Sequence, residues 1–589
     1  MAKFGSFVAD EGQMSQSKSP SLAMALFGSP GIRLVALRAI AAVSLSVVSQ
    51  GVAAQVSGAI PPQLSQLPPP PSNERVLPDI RMERPGAEPD VGRAGPSFLV
   101  SALHITGETR FSETELVAAS GYTAGSRLSV PDLRRIAGRI TAFYNKRGFI
   151  VAQAYLPAQE IKDGAVTIVV IEGHYGAVTI NNHSRLRTGV ARGVLRGLDS
   201  GQIVAAVPLE RRLLLLSDVP GVGVRSTLSP GSTLGTSDLR FDLASGPRLS
   251  GEVEADNAGN PYTGFYQGGG TLNINNPLGI GDLASVRVLT SGEGLQYVRG
   301  AYQVQVGQGT VGAAYAAFHY HLGKQFESLG AHGSEQIASV YASYPLVRSY
   351  NDNLWAHAQF DHRTFQDVVD FSHSQVQRRA DVGVFGLSGD HRDAAGGGGS
   401  ESYSVYVSVG DLDIETPAAR VTDAATARSQ GGYEKLYASF DRVQPLVGAF
   451  SLYGLVRGQV ASKNLDTSEK MELGGAYAVR AYPEGEAYGD EGYVATVEAR
   501  VWLPPVIPAL RGRWQFAAFL DTGWVRFAQT PWYPGVNSAT RTGAGVGLTW
   551  VQPNNFLVRA SYAHRVGTPP ATSYPSSSGQ FWFEVVKFF

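Results

Sequence analysis

The sequence predicts a mainly β protein, a transmembrane antiparallel β-barrel behind an N-terminal α+β module. Three observations carry this. From about residue 248 onward the pattern is strands only, with apolar and polar residues alternating. The chain ends on Phe581-Trp582-Phe583-Glu584-Val585-Val586-Lys587-Phe588-Phe589, an alternating strand with an aromatic terminus, as outer-membrane barrels have. Beyond residue 54 no apolar run reaches the roughly 20 residues of a spanning helix, so a membrane form has to be a barrel. A secreted array of β-sandwiches is the alternative, and it has no need of the aromatic end.

Composition narrows the function classes. The 589 residues are too many for one small domain. Lys plus Arg number 49 and Asp plus Glu 50, a net charge of −1, so the basic excess of a nucleic-acid binder is missing. The 69 glycines, 25 tyrosines and 25 phenylalanines suit tight turns and strands. Zero cysteine excludes a disulfide scaffold, a cysteine nucleophile and thiolate metal sites, and it fits an oxidising compartment. Charged residues make up 17%, low for a soluble protein of this size.

The elements follow in order. Within 1–54, Arg33 and Arg38 precede the apolar run Ile40 to Val48, and Val52-Ala53-Ala54 offers small residues for cleavage after Ala54. That is the layout of a secretory signal peptide, with a short membrane anchor as the alternative. Residues 1–32 are unusual for a signal, and Met24 is the better candidate start. Residues 55–97, with Pro61-Pro62 and Pro68 to Pro71, read as a semi-rigid linker or as disordered chain.

Residues 98–173 and 174–247 each carry a strand-helix-helix-strand-strand order. In the first, Phe98 to Ile105 is a strand and Ser112 with Glu115 forms a capping box. A second helix starts near Ser129 with the stripe Leu133, Ile136, Ile140, Phe143 and Tyr144, and Gly148 stops it. Phe149 to Leu156 and Ala165 to Glu172 complete the unit as strands. The second unit is a weaker copy: a strand at 178–180, helices at 188–198 and 208–216, strands at 223–228 and 239–243.

Residues 248–589 form the barrel. Leu354, Ala356, Ala358 and Phe360 alternate with Trp355, His357, Gln359 and Asp361. Tyr493, Ala495, Val497, Ala499, Val501 and Leu503 oppose Thr496, Glu498 and Arg500, which suits a water-filled lumen. Lys587 breaks the apolar face of Phe581, Phe583, Val585 and Phe589.

Several motifs point to chemistry only by their letters. Gly307-Gln308-Gly309-Thr310-Val311-Gly312 matches a dinucleotide fingerprint, but it precedes a strand and reads as a hairpin turn. His319 and His321 share a strand face without a carboxylate partner, so no metal is expected there. Glu484, Glu486, Asp490 and Glu491 match no calcium loop and read as a solvated acidic segment. No nucleophile elbow occurs. Neither a cofactor nor an enzymatic activity is expected.

Five motifs, taken in order, resemble one family. Ile140 to Val151, Tyr155 to Glu160, Asp163-Gly164 and Ile171-Glu172-Gly173 resemble a POTRA domain. Asp256-Asn257-Ala258-Gly259, Tyr262-Thr263-Gly264 and Asn276-Pro277-Leu278-Gly279 resemble the barrel start of the TpsB transporters of two-partner secretion, in the Omp85 superfamily. Val479-Arg480-Ala481-Tyr482 stands where that family has Val-Arg-Gly-Tyr/Phe, and Phe519-Leu520-Asp521-Thr522-Gly523 resembles its wall motif. The resemblance runs from about 98 to 589 and implies two POTRA domains and about sixteen strands. Residues 248–589 allow about 21 per strand with its connection, of which a tilted membrane strand takes about 9–11.

The resemblance also implies a site and a function. Arg480, at the tip of a loop folded into the barrel, is expected to meet Asp521 on the inner wall, with Val479, Ala481, Tyr482, Phe519 and Gly523 around them. Ala481 departs from the motif's glycine, which puts the tip geometry in question if that position needs positive φ. The function implied is outer-membrane export of a secreted partner exoprotein, a large β-helical adhesin or a haemolysin-like protein. The partner is captured by the periplasmic POTRA domains and moved extended, without ATP. The transporter is expected to be a monomer in outer-membrane lipid, with no nucleic acid bound and no metal. The alternative is an assembly factor that inserts barrels; a barrel enzyme lacks a motif. A plug helix within 55–97 is also compatible with the family.

Overall fold

The computed structural model describes residues 80–82 and 96–589, apart from 293, 506–510, 568 and 575–577. The expected signal segment and plug helix lie outside the described residues, as does the 55–97 linker except for β1 (Ile80–Met82) and its last two residues.

The first α+β unit comprises β2 (Phe98–Val100), β3 (Ala102–Thr106), α1 (Glu113–Ser120), β4 (Ser126–Leu128), α2 (Val130–Lys146), β5 (Gln153–Tyr155) and β6 (Ala165–Ile171). Its main sheet runs β3-β6-β5, and β2 pairs with β4 as a separate ribbon. The caps stand where the sequence put them. Ser112 Oγ accepts from the Glu115 amide at 3.3 Å, and Glu115 accepts in return from the Ser112 amide at 3.0 Å. Leu133, Ile136, Ile140 and Tyr144 of α2 are buried against Ile105, Leu116, Val166 and Ile168. Glu172 is buried beneath this core and accepts from the amides of Thr109 (2.7 Å) and Arg110 (2.9 Å) and from the Tyr144 hydroxyl (2.9 Å). Burial raises its pKa, but these donors outweigh that and hold the carboxyl below its ordinary value. Two expectations fail: the strand read over Phe98 to Ile105 is broken at Ser101 into β2 and β3, which join different sheets, and Phe149 to Val151 is a turn, which leaves β5 only three residues long. Gly148 there takes φ +91° to reverse the chain out of α2, and the reversal uses up the residues that read as strand.

The second unit comprises β7 (His174–His183), α3 (Thr188–Val194), α4 (Ala206–Ser217), β8 (Val222–Pro230) and β9 (Thr236–Ser245). Its sheet order is β1-β8-β9-β7, so Ile80–Met82 extends the sheet as a parallel edge strand on Ser226 to Leu228. Leu209, Leu213, Leu215 and Leu216 of α4 fill the core against Leu228, Leu239 and Phe241.

The barrel strands are β10 (Leu249–Asp256), β11 (Gln267–Asn275), β12 (Leu283–Thr290), β13 (Leu295–Val306), β14 (Gly309–His321), β15 (Ala331–Arg348), β16 (Asp352–Val369), β17 (Ser374–Asp393), β18 (Gly399–Ile414), β19 (Gly431–Pro445) and β20 (Phe450–Ala461). After the inner loop, which holds the two short strands β21 (Met471–Glu472) and β22 (Tyr488–Gly489), come β23 (Glu491–Leu503), β24 (Arg513–Arg526), β25 (Ser538–Gln552), β26 (Phe556–Arg565) and β27 (Gly579–Phe588). Sixteen of these close into one antiparallel barrel, with β27 returning to β10. That seam joins five residue pairs, whereas neighbouring strand pairs join at least eight. Among the described residues no helix is long and apolar enough to cross a membrane.

Alternation sorts the two barrel faces. Val253, Val286, Val288, Phe360, Val405, Val407, Leu436 and Phe440 are exposed on the outside, where lipid replaces water. Asp361, Arg363, Glu498 and Asp521 point inward and are buried by other lumenal groups. Lys587 sits near the end of β27, paired with Asn555 at the turn into β26 and 4.5 Å from the Phe556 ring centre. A long side chain at a strand end can snorkel to the rim, which explains its tolerance on an apolar face.

The second unit docks on the barrel end that carries the turns at 307–308 and 349–351. Arg348 grips Asp218 through Nε and Nη2, both at 2.7 Å. Arg211 of α4 donates to the Pro345 carbonyl (2.7 Å) and to Gln308 (3.0 Å). Glu210 accepts from the Tyr350 amide at 2.5 Å. The connections β10–β11, β14–β15, β20–β23 and β26–β27 therefore stand at the opposite end of the barrel.

Candidate functional site

The connection between β20 and β23, residues 462–490, folds back into the barrel. Its tip meets the wall at β23 and β24. Arg480 donates to Asp521 through Nε and Nη2, both at 2.8 Å, and its own amide donates to the same carboxylate at 3.2 Å. The Thr496 hydroxyl completes the Asp521 shell at 2.9 Å. Arg480 also reaches Glu498 at 2.9 Å, and Glu498 holds Arg500 at 2.7 Å. Two guanidinium groups thus face two carboxylates, and the cluster is locally neutral. The Arg480 guanidinium lies flat on Phe519, 3.3 Å from the ring centre. A planar fork stacked on a ring and bidentate to a carboxylate is a geometry that arginine makes and lysine does not.

The other residues singled out from sequence lie in the same place. Val479, Ala481 and Tyr482 are fully buried, and the Tyr482 hydroxyl donates to the Pro569 carbonyl at 2.7 Å. Ala481 is not among the residues with positive φ, so the motif position carries no strain here. Its methyl faces Gly543 on β25, where an added Cβ would stand 2.3 Å from that of Ala481. The glycine opposite supplies the space that the alanine takes. Gly523 plays the same part for Leu473, whose Cδ1 would be 2.5 Å from a Cβ there.

Sequence reasoning missed most of the inner loop's anchors, and it misread one set. Glu484, Glu486 and Asp490 are buried, not solvated. The signal for Glu486 was an arginine on β25, 55 residues on, and that for Asp490 a lysine across the same loop; no local window pairs either. Asp490 takes Lys470 at 2.5 Å, and Glu486 takes Arg541 at 2.6 Å. At the root of the loop, Glu469 joins Arg363 (2.8 Å) and Lys435 (2.5 Å), and Asp466 pairs with Arg378. Trp582 of β27 donates to the Arg480 carbonyl at 2.7 Å. Among the described residues no group of three or more His, Asp or Glu is placed to hold a metal ion. His321 instead stacks on His332, with ring centres 6.4 Å apart. Gly307 and Gln308 form the hairpin turn between β13 and β14.

A closed sixteen-stranded antiparallel barrel with an α+β module docked at one end and an anchored loop in its lumen has the architecture of an outer-membrane β-barrel transporter. The chain belongs to the haemolysin secretion/activation protein ShlB/FhaC/HecB family, whose model matches residues 235–550, and a ShlB-type POTRA domain matches residues 98–173. Similar proteins include the heme/hemopexin transporter protein HuxB of Haemophilus influenzae (strain 86-028NP), 27% identical over 79% of this chain and 82% of HuxB. The outer membrane transporter CdiB of Dickeya dadantii is 23% identical over 73% of this chain and 76% of its own length. Among solved structures, CdiB from Escherichia coli has a TM-score of 0.66 at 20% identity, covering 96% of this chain and all of CdiB. BamA from Haemophilus ducreyi lacking POTRA domains 1–3 has a TM-score of 0.50 at 15% identity, covering 84% of this chain and all of that one. At these identities the solved structures speak for the fold alone. The chain is an outer-membrane transporter that exports a partner protein, with its POTRA region in the periplasm. Its family is one of transporters, not an enzyme class.

Proposed function

We propose that the inner loop is the lid of the export pore and that Arg480 with Asp521 is its lock. The observation that carries this is the bidentate pair itself, made inside a closed barrel by a loop tip whose contacts are otherwise buried. Val479, Ala481 and Tyr482 shape the tip, and Phe519 and Gly523 shape its seat on the wall. The second α+β unit is a second POTRA domain; its strand-helix-helix-strand-strand order supports this. Cargo enters as an extended chain by pairing with sheet edges of the two units, a mode that tolerates many sequences. The partner is a large β-helical adhesin or haemolysin-like protein. The transporter works as a monomer, its apolar outer face in contact with outer-membrane lipid and its barrel closed on itself.

Deletion of the gene followed by surface and supernatant proteomics tests the export reading. One exoprotein is expected to be lost while the other barrels keep their levels. A broad fall in outer-membrane barrels would point to an assembly factor and contradict the proposal.

A further inference from the structure

One carboxylate of the inner loop does more than hold that loop. Glu486 has a fully buried side chain and accepts from Arg541 on β25 through Nε (2.8 Å) and Nη2 (2.6 Å). Its remaining lone pairs go to the connection between β26 and β27. They accept from the Thr572 amide (3.0 Å), the Thr572 hydroxyl (3.2 Å), the Ser573 amide (3.2 Å) and the Ser573 hydroxyl (2.9 Å). Tyr482 of the same inner loop holds the Pro569 carbonyl, and Ala571 packs on the inner loop's apolar cluster. The stretch 569–574 thus takes its backbone donors' partners from a loop that is itself meant to move.

The same stretch covers the outer end of the barrel. Tyr262 donates to the Ser573 carbonyl, and Gln325 donates to the Tyr262 hydroxyl at 3.0 Å. Lys324 sits 4.2 Å from the Phe265 ring centre and 4.3 Å from that of Tyr574, with its backbone at φ +58°. These rim contacts come from the β10–β11 and β14–β15 connections; Tyr262 is buried but gives the stretch one hydrogen bond, and Lys324 is exposed, so they are the weaker side of the cover. The stronger side is Glu486, with four hydrogen-bond donors of the stretch on one carboxylate. Its removal would leave Arg541, which is 7% exposed, and two amides without their acceptor.

We propose that Glu486 is a positioning residue that ties the outer stretch 569–574 to the inner loop, so that the outer mouth uncovers when the inner loop leaves its seat. This rests on the lid reading above and adds that one event opens both ends. The alternative, two independent closures, would have the outer stretch held by its rim contacts alone; of those, the buried Tyr262 bond holds a single atom, the Ser573 carbonyl, whereas Glu486 accepts from both amides and both hydroxyls of Thr572 and Ser573.

The chain has no cysteine, so Ala571→Cys gives a single reporter on the outer stretch. The measurement is its labelling rate with a membrane-impermeant maleimide on intact cells, with heat-dependent gel migration to show that each barrel is folded. Slow labelling is expected in the otherwise unsubstituted chain, and labelling at least tenfold faster in both Glu486→Gln and Arg480→Ala. Fast labelling before any further change, or an unchanged rate in either variant, would overturn the link. Where Glu486→Gln does not fold, Ser573→Ala removes one donor and keeps the Arg541 pair; at least threefold faster labelling is expected, and an unchanged rate overturns the proposal. Secretion by Arg480→Ala reads the lid separately: normal secretion there sinks the lid, whereas the Glu486→Gln labelling rate still reports the link.

Discussion

Arg480→Ala and Asp521→Ala should each cut secretion of the partner protein at least tenfold while the barrel still inserts and migrates as a folded species. Asp521 is fully buried and receives three hydrogen bonds from Arg480 and one from Thr496. Removing one member of a buried pair costs about 3–5 kcal/mol, because the other keeps its charge without its mate. That is enough to unseat the loop tip in most molecules, yet it touches no contact between strands. Arg480→Lys should fall close to the alanine variant. An ammonium cannot span both Asp521 oxygens, reach Glu498 and stack on Phe519 at once. Secretion assayed alongside outer-membrane abundance checks this, and normal secretion by both alanine variants would refute the roles given to the pair.

The second large effect is expected where the periplasmic module meets the barrel. Asp218→Ala leaves Arg348 buried with only Asn353 and the Ser349 carbonyl as acceptors. The loss is again about 3–5 kcal/mol, discounted because Asp218 is 44% exposed on its side chain. Undocking the second unit would take the captured chain away from the pore, so secretion should drop severalfold. Arg348→Met in the Asp218→Ala background should recover much of it, because the stranded charge is gone. Secretion by Asp218→Ala equal to that of the unsubstituted chain would show that the docking pair does not matter.

How much of this was legible in the sequence varies with the range of the interaction. The caps of α1 and α2, the buried stripe of α2 and the alternation of the barrel strands are local, and they stand as read. The failure at Phe149 to Val151 is also local in origin: aromatic and β-branched residues favour strand, but the turn after Gly148 uses them. The site divides in the same way. Arg480 and Asp521 were found through motifs, and the structure brings them to 2.8 Å. The partners of Glu469 and Glu486 come from strands 34 to 106 residues away, and Asp490 pairs with Lys470 across the inner loop, so the acidic segment read as solvated. Ala481 is the clearest case. Its departure from the motif is understood only with Gly543, which faces it from another strand.

The central claim is that a polypeptide passes through this lumen under the inner loop's control. Tyr437 and Leu436 are neighbours on β19 facing opposite ways. Lys435, two residues before Tyr437 and on its face, reaches Glu469 of the inner loop, while Leu436 is 41% exposed toward lipid. A photo-crosslinking residue placed at each position in secreting cells tests the claim most directly. The expected result is a crosslink from position 437 to one large exoprotein, lost in Arg480→Ala, and none from position 436. Equal crosslinking from both faces, or crosslinks from 437 only to other barrels, would contradict it.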